Sequence, residues 1–216
     1  MTRPMHSSAS QLNAARLALA NSRSDPEIAA GVALFGYPEA RLAEGQCLYE
    51  RALAAVDAQK AAAAAQLQAT ADLELSAGVA HDAYQALAKV ARAVADRSSL
   101  TVLGLEGREP RTTAGFILAG YTLFSSAATL PQLASFGYDD DRLITEREKI
   151  AAYDRLNQQQ EAAKGAAQQA TREAEMALAD LAIWLGQYLK IARVALRGRP
   201  QLFEKLGIVV QSQERA

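Results

Sequence analysis

Two stretches of the chain carry the same spacing of apolar and polar positions. Between residues 140 and 196, small or apolar side chains recur at Tyr153, Leu156, Ala163, Ala167, Ala170, Ala174, Ala177, Leu181, Trp184, Tyr188, Ile191 and Ala195. Between residues 38 and 97 the series is Ala52, Ala55, Gln59, Ala62, Gln66, Ala69, Leu73, Ser76, Ala80, Ala83, Leu87, Val90 and Val94. Steps that alternate between three and four residues form the a/d seam of a coiled coil. No proline interrupts either stretch beyond Pro38, and the glycines are isolated. The pattern predicts two long continuous helices, 38–97 and 140–196, with a break near "NQQQEAAKG" (157–165) as the alternative for the second. Gln59 and Gln160 take equivalent positions in the two seams, where a polar side chain sets register and partner choice at some cost in stability. The alanine-lined middle of each seam lets helices approach closely. The larger side chains stand toward the helix ends, so any pocket is expected there.

Shorter elements flank each long helix. Residues 112–130 predict a helix, Pro131 opens a short one, and Gly137 closes it. Asp139, Asp140 and Asp141 then supply a cap and first-turn acids for the long helix. After it, "GRPQLFEKLGI" (198–208) reads as a stop and a short terminal helix. The first half of the chain repeats the series with helices at 12–22 and 26–34 and a short segment at 100–105.

This parallel has a cause in the sequence. "FGYPEARL" at 35–42 and "FGYDDDRL" at 136–143 superpose after a shift of 101 residues, and "KVAR" at 89–92 falls on "KIAR" at 190–193 in the same register. Pro26 meets Pro131 and "LGL" at 103–105 meets "LGI" at 206–208 after small gaps. The expectation is a tandem duplication forming one all-α bundle: copy one at 11–105, a linker at 106–111, copy two at 112–210, and disordered tails at 1–10 and 211–216. Two copies suit a closed pseudo-twofold pair, with the long helices antiparallel, better than an open solenoid.

Composition narrows the function more than it names it. Half of the 216 residues are hydrophobic, largely alanine, which forms helices well and fills cores poorly. The formal net charge of −1 gives no electrostatic basis for nucleic acid as a partner. The single cysteine, Cys47, precludes an internal disulfide. It is expected on a solvated helix face. The N-terminal segment is basic and Ser-rich but lacks the continuous apolar core of a secretory signal, so a cytoplasmic protein is expected.

Candidate chemistry is sparse. His81 has Asp82 and Glu74 nearby, but no Glu-x-x-His spacing of a di-metal bundle exists, and Ala182 and Ile183 replace His81 and Asp82 in copy two. No metal and no cofactor is expected. No nucleophile has a base beside it, and no phosphate-binding glycine loop occurs. Lys89, Arg92, Lys190 and Arg193, with Arg97, Arg197 and Arg199, make each long helix basic at its end. Such cations complement the negative end of a helix and read as structural rather than as an anion site. Trp184 and Tyr188 have seam spacing, and with Gln59 and Gln160 they are the seam residues singled out for interaction.

Residues 112–138 carry no charge over 27 positions. Phe116, Ile117, Leu118, Tyr121, Leu123 and Phe124 make this a hydrophobic contact segment. It is expected to pack on the long helices, with a membrane-active role as the alternative. The strings "GREPRTTAGF", "KIARVAL" and "PQLFEKLGI" resemble a group of bacterial proteins built from duplicated, alanine-rich long helices. That resemblance implies a helical fold and a bacterial source, and brings no activity, cofactor or site residue with it. The group's helix after "AGF" is usually polar on one face, whereas here it reads "ILAGYTLFSSA", which marks it for a specialised contact. The expected function is a non-enzymatic structural or protein–protein interaction bundle, as a homodimer or with partner helices. A pore-forming protein and a small-ligand-binding bundle are the alternatives.

Overall fold

The computed structural model describes residues 7–207, and all regular structure among them is helical. In chain order the helices are α1 (Ser8–Ser24), α2 (Pro26–Ala33), α3 (Glu39–Val94), α4 (Arg97–Val102), α5 (Thr113–Ala127), a 3₁₀ turn (Pro131–Phe136), α6 (Asp140–Ala195) and α7 (Pro200–Lys205). Both long helices are continuous, 56 residues each. Residues 1–6 and 208–216, which include most of both expected tails and the last residues of copy two, lie outside the described part.

The boundaries follow from local chemistry. Helix α1 starts at Ser8, inside the stretch expected to be a tail, because the Ser7 hydroxyl accepts from the Ser10 N–H and caps the first turn. Helix α3 stops at Val94, short of the expected 97. The Asp96 carboxylate caps Ser99, extended backbone at Asp96 breaks the helix, and α4 starts afresh at Arg97. Helix α5 ends at Ala127 and not at 130. Thr129 and Leu130 turn back onto Ser126 and Ala127, and Leu130, preceding a proline, leaves the helical region with φ −116°. The segment opened by Pro131 is a 3₁₀ turn rather than an α-helix.

The "FGY" corners have one physical explanation each time they occur. Gly36 (φ 86°) and Gly137 (φ 82°) adopt left-handed backbone that other residues avoid. The following amide closes the corner, with Tyr37 N–H donating to Val32 O (3.0 Å) and Tyr138 N–H to Leu133 O (3.1 Å). Both tyrosine rings are buried, while Phe35 and Phe136 stay exposed. Arg41 and Arg142 lay their guanidinium groups over those rings, 4.9 and 4.8 Å from the centroids. Leu42 and Leu143 then bury one turn into the long helices.

The chain divides into two compact units, and neither coincides with the expected repeats 11–105 and 112–210. Among the described residues, one joins 7–62 with 167–207, and the other is Ala63–Ala166. Each unit takes one half of each long helix. In the first, the halves of α3 and α6 run antiparallel: Gly45 meets Trp184, Arg51 lies 3.6 Å from Asp180, and Gln59 Nε2 lies 3.4 Å from Thr171 Oγ1. Its core is Leu19, Ile28, Tyr37, Leu42, Tyr188 and Phe203, extended by Leu12, Ala52, Val56, Ala174, Ala177 and Leu181. In the second unit α5 runs along α6. Gly120 faces Ile150, the Tyr121 hydroxyl donates to Asp154 at 3.2 Å, and Phe116 meets Tyr153. Leu87, Leu103, Leu123, Phe124 and Leu133 fill that core.

Candidate functional site

The residues marked by sequence go to different places. Trp184 and Tyr188 enter the core of the first unit. Their rings stack 5.4 Å apart, and Tyr37 meets both edge-on. Burial raises the Tyr188 phenol above its ordinary pKa, and its hydroxyl hydrogen-bonds the buried Ser22 Oγ, which opposes that rise. The Trp184 indole N–H is buried with no hydrogen-bond partner among the described residues. Gln59 is half-buried, in the same unit, and donates to Thr171. Gln160 is half-buried in the second unit.

The contact segment is mostly consumed by its own unit. Phe116, Ile117, Leu123 and Phe124 are buried, and Tyr121 is half-buried beneath the Arg147 guanidinium. Leu118 alone of the six is exposed, at 69%. Among the described residues no helix is long and apolar enough to cross a membrane.

In the second unit, polar side chains converge around His81. His81 Nδ1 lies 2.8 Å from Glu109 Oε1, and the Gln85 amide donates to the other carboxylate oxygen. The His81 ring stacks on Phe116 at 3.9 Å. A cavity of about 360 Å³ is lined by His81, Glu109, Arg111, Thr113, Phe116 and Tyr153, among others. Burial, then the Glu109 charge, raises the pKa of Tyr84, whose ring packs on Phe116. Sequence proximity had pointed to Glu74 and Asp82 as neighbours of His81. The carboxylate that reaches it comes from the 106–111 connection, whose fold no periodicity encodes. Among the described residues no group of three or more His, Cys, Asp or Glu could hold a metal ion.

At the basic helix end of the first unit, Arg199 and Arg193 have partners within the protein, as does Lys205 on α7. Arg199 pairs with Glu27 at 2.7 Å, Lys205 with Asp25 at 2.8 Å, and Arg193 lies over the Phe203 ring. Cys47 is exposed on α3.

One feature escaped the sequence reading. In the second unit no residue of 63–79 or 154–166 is fully buried, so the middle of α3 is thinly covered even on its seam side. On the other side, Leu67 and Leu75 are 74% and 75% exposed, and Val79 is also exposed. At 3.6 residues per turn the mean direction of these leucines is about 170° from that of the seam positions Ala69, Leu73 and Ser76. A helix that is apolar on two opposite faces has a second surface to cover. The signal was present as a second three-and-four series, offset from the seam and hidden by the abundance of alanine.

No protein-family model, curated protein or solved structure gives a significant match to this chain.

Proposed function

We propose that this chain is a non-catalytic helical interaction protein whose long helices take up further helices through faces left open. The observation that carries this reading is the apolar face of α3 at Leu67 and Leu75, set apart from the half-buried positions Ala69, Leu73 and Ser76. Exposed leucines scattered singly need no explanation, but these two lie in one row with Ala64, Ala71 and Gly78, all exposed. A photo-crosslinking residue at position 67, in cells making the protein, should capture adducts of defined mass. Recovery of the uncrosslinked chain alone, with the protein folded, would overturn the reading.

The internal duplication belongs to the same proposal. Buried positions of α1 (Leu12, Ala15, Ala18, Leu19, Ser22) match those of α5 (Ile117, Gly120, Leu123, Phe124, Ala127) at the offset set by Pro26 and Pro131. The two FGY corners share their bonds and their arginine cover. Both facts support a duplicated unit reused at each end of a long-helix pair.

A second reading, small-ligand binding, is favoured by the His81–Glu109 cavity alone. Arg111 and a His81 positioned by Glu109 suit a small molecule bearing an anionic group. A screen of small carboxylates and phosphates, read by the His81 ring resonances, tests it. Resonances unmoved by every compound at millimolar concentration would remove it.

A further inference from the structure

The exposed row on α3 is self-complementary. Its members are Lys60, Ala64, Leu67, Ala71, Leu75, Gly78 and Asp82, and each is exposed. The steps between them are 4, 3, 4, 4, 3 and 4, the same from either end, with Ala71 at the centre. At 3.6 residues per turn the whole row stays within an arc of about 80°. Small residues stand at the centre and one step inside each end, leucines between them, and opposite charges at the two ends. A Cβ added at Gly78 would meet nothing within 4 Å.

We propose that this face binds a second copy of the chain, the two α3 helices crossing antiparallel about a twofold axis at Ala71. This rests on the interaction reading above and names its partner. In an isologous contact, residue i meets residue j, and j meets i. With the axis at Ala71, Leu67 meets the partner's Leu75, and Ala64 meets the partner's Gly78, where the small pair lets the backbones close. The charges agree with this direction. Lys60, whose ammonium is 3.2 Å from Asp57 in an exposed pair, meets the partner's Asp82. A parallel pairing in register would oppose Lys60 to Lys60 and Asp82 to Asp82, a destabilising arrangement.

The surface is narrow, so the dimer should be reversible, with dissociation in the micromolar range or weaker. Sedimentation equilibrium of the full chain from about 1 to about 300 μM should show a monomer–dimer equilibrium, an interface below standard size giving weak association. Leu67→Lys alone, or Leu75→Glu alone, should weaken it at least tenfold. The double variant Leu67→Lys/Leu75→Glu places each lysine against a partner glutamate and should regain most of the loss. Circular dichroism of each variant establishes that it is folded. For register, Ala71→Cys in a Cys47→Ser background should oxidise to a covalent dimer. Ala64→Cys in that background should do so only when mixed with its Gly78→Cys counterpart.

A dimer that survives both single charge substitutions, or a double variant no better than either single one, would overturn the proposed register. A strictly monomeric wild-type chain would overturn the second copy as partner. In that case crosslinked adducts of another mass at position 67 would leave the broader interaction reading standing, and their absence would remove both.

Discussion

Trp184 occupies the space that a side chain at residue 45 would need. A Cβ built on Gly45 would stand 2.2 Å from the indole Cη2, so the close approach of α3 and α6 here depends on the glycine. Gly45→Ala should therefore destabilise the protein by about 1–3 kcal/mol through overpacking, despite the better helix propensity of alanine. Gly165→Ala, on α6 with nothing near its Cβ, should instead stabilise by about 0.5–1 kcal/mol. Denaturant melts of both variants check the pair. A Gly45→Ala protein as stable as wild type would mean that the indole does not pack there.

Ser22 and Tyr188 are both buried and bond to each other, and the Ser22 hydroxyl also donates to the Ala18 carbonyl. Ser22→Ala strands the buried phenol and should cost about 1–3 kcal/mol. Tyr188→Phe leaves the serine with its carbonyl partner and should cost about 0.5–1.5 kcal/mol. Equal losses from the two substitutions would contradict the asymmetry.

Gly36 and Gly137 hold the same left-handed backbone at the two FGY corners. Alanine at either position should cost about 1–2 kcal/mol, with similar losses at both. One damaging and one silent substitution would show that the corners are not equivalent and would weaken the duplication proposal.

Asp25 gives a pH dependence with a definite sign. The Lys205 ammonium holds its carboxylate below the ordinary range, as do the backbone N–H groups of Ile28 and Glu27, against the opposing effect of partial burial. A carboxylate lowered in the folded state stabilises the fold above its unfolded pKa of about 3.9, and that contribution disappears as pH falls through the folded value. Asp25→Asn should thus melt below wild type at pH 7. The gap should close as both are acidified below about pH 4, where the wild-type carboxylate protonates. A gap constant down to pH 2.5 would show that the charge of Asp25 is not what stabilises the fold.

Much of this architecture was legible along the chain because helices are local objects. Apolar spacing, Pro26 and Pro131 at helix starts, Gly36 and Gly137 at helix ends, and the absence of breakers inside α3 and α6 specify elements through backbone bonds between residues a few positions apart. The three-and-four series was legible for the same reason, and each of its members is buried or half-buried. What surrounds them was decided by tertiary packing. Helical periodicity says which residues share a face but not which face is covered, so Leu67 and Leu75 were indistinguishable from core until their neighbours were in place. The packing of the chain likewise decided that each compact unit takes half of each long helix. The His81–Glu109 contact spans 28 residues through a connection without periodicity. Its closure is set by where α5 packs, through Phe116 beneath the His81 ring, and no local rule in the sequence contains that information.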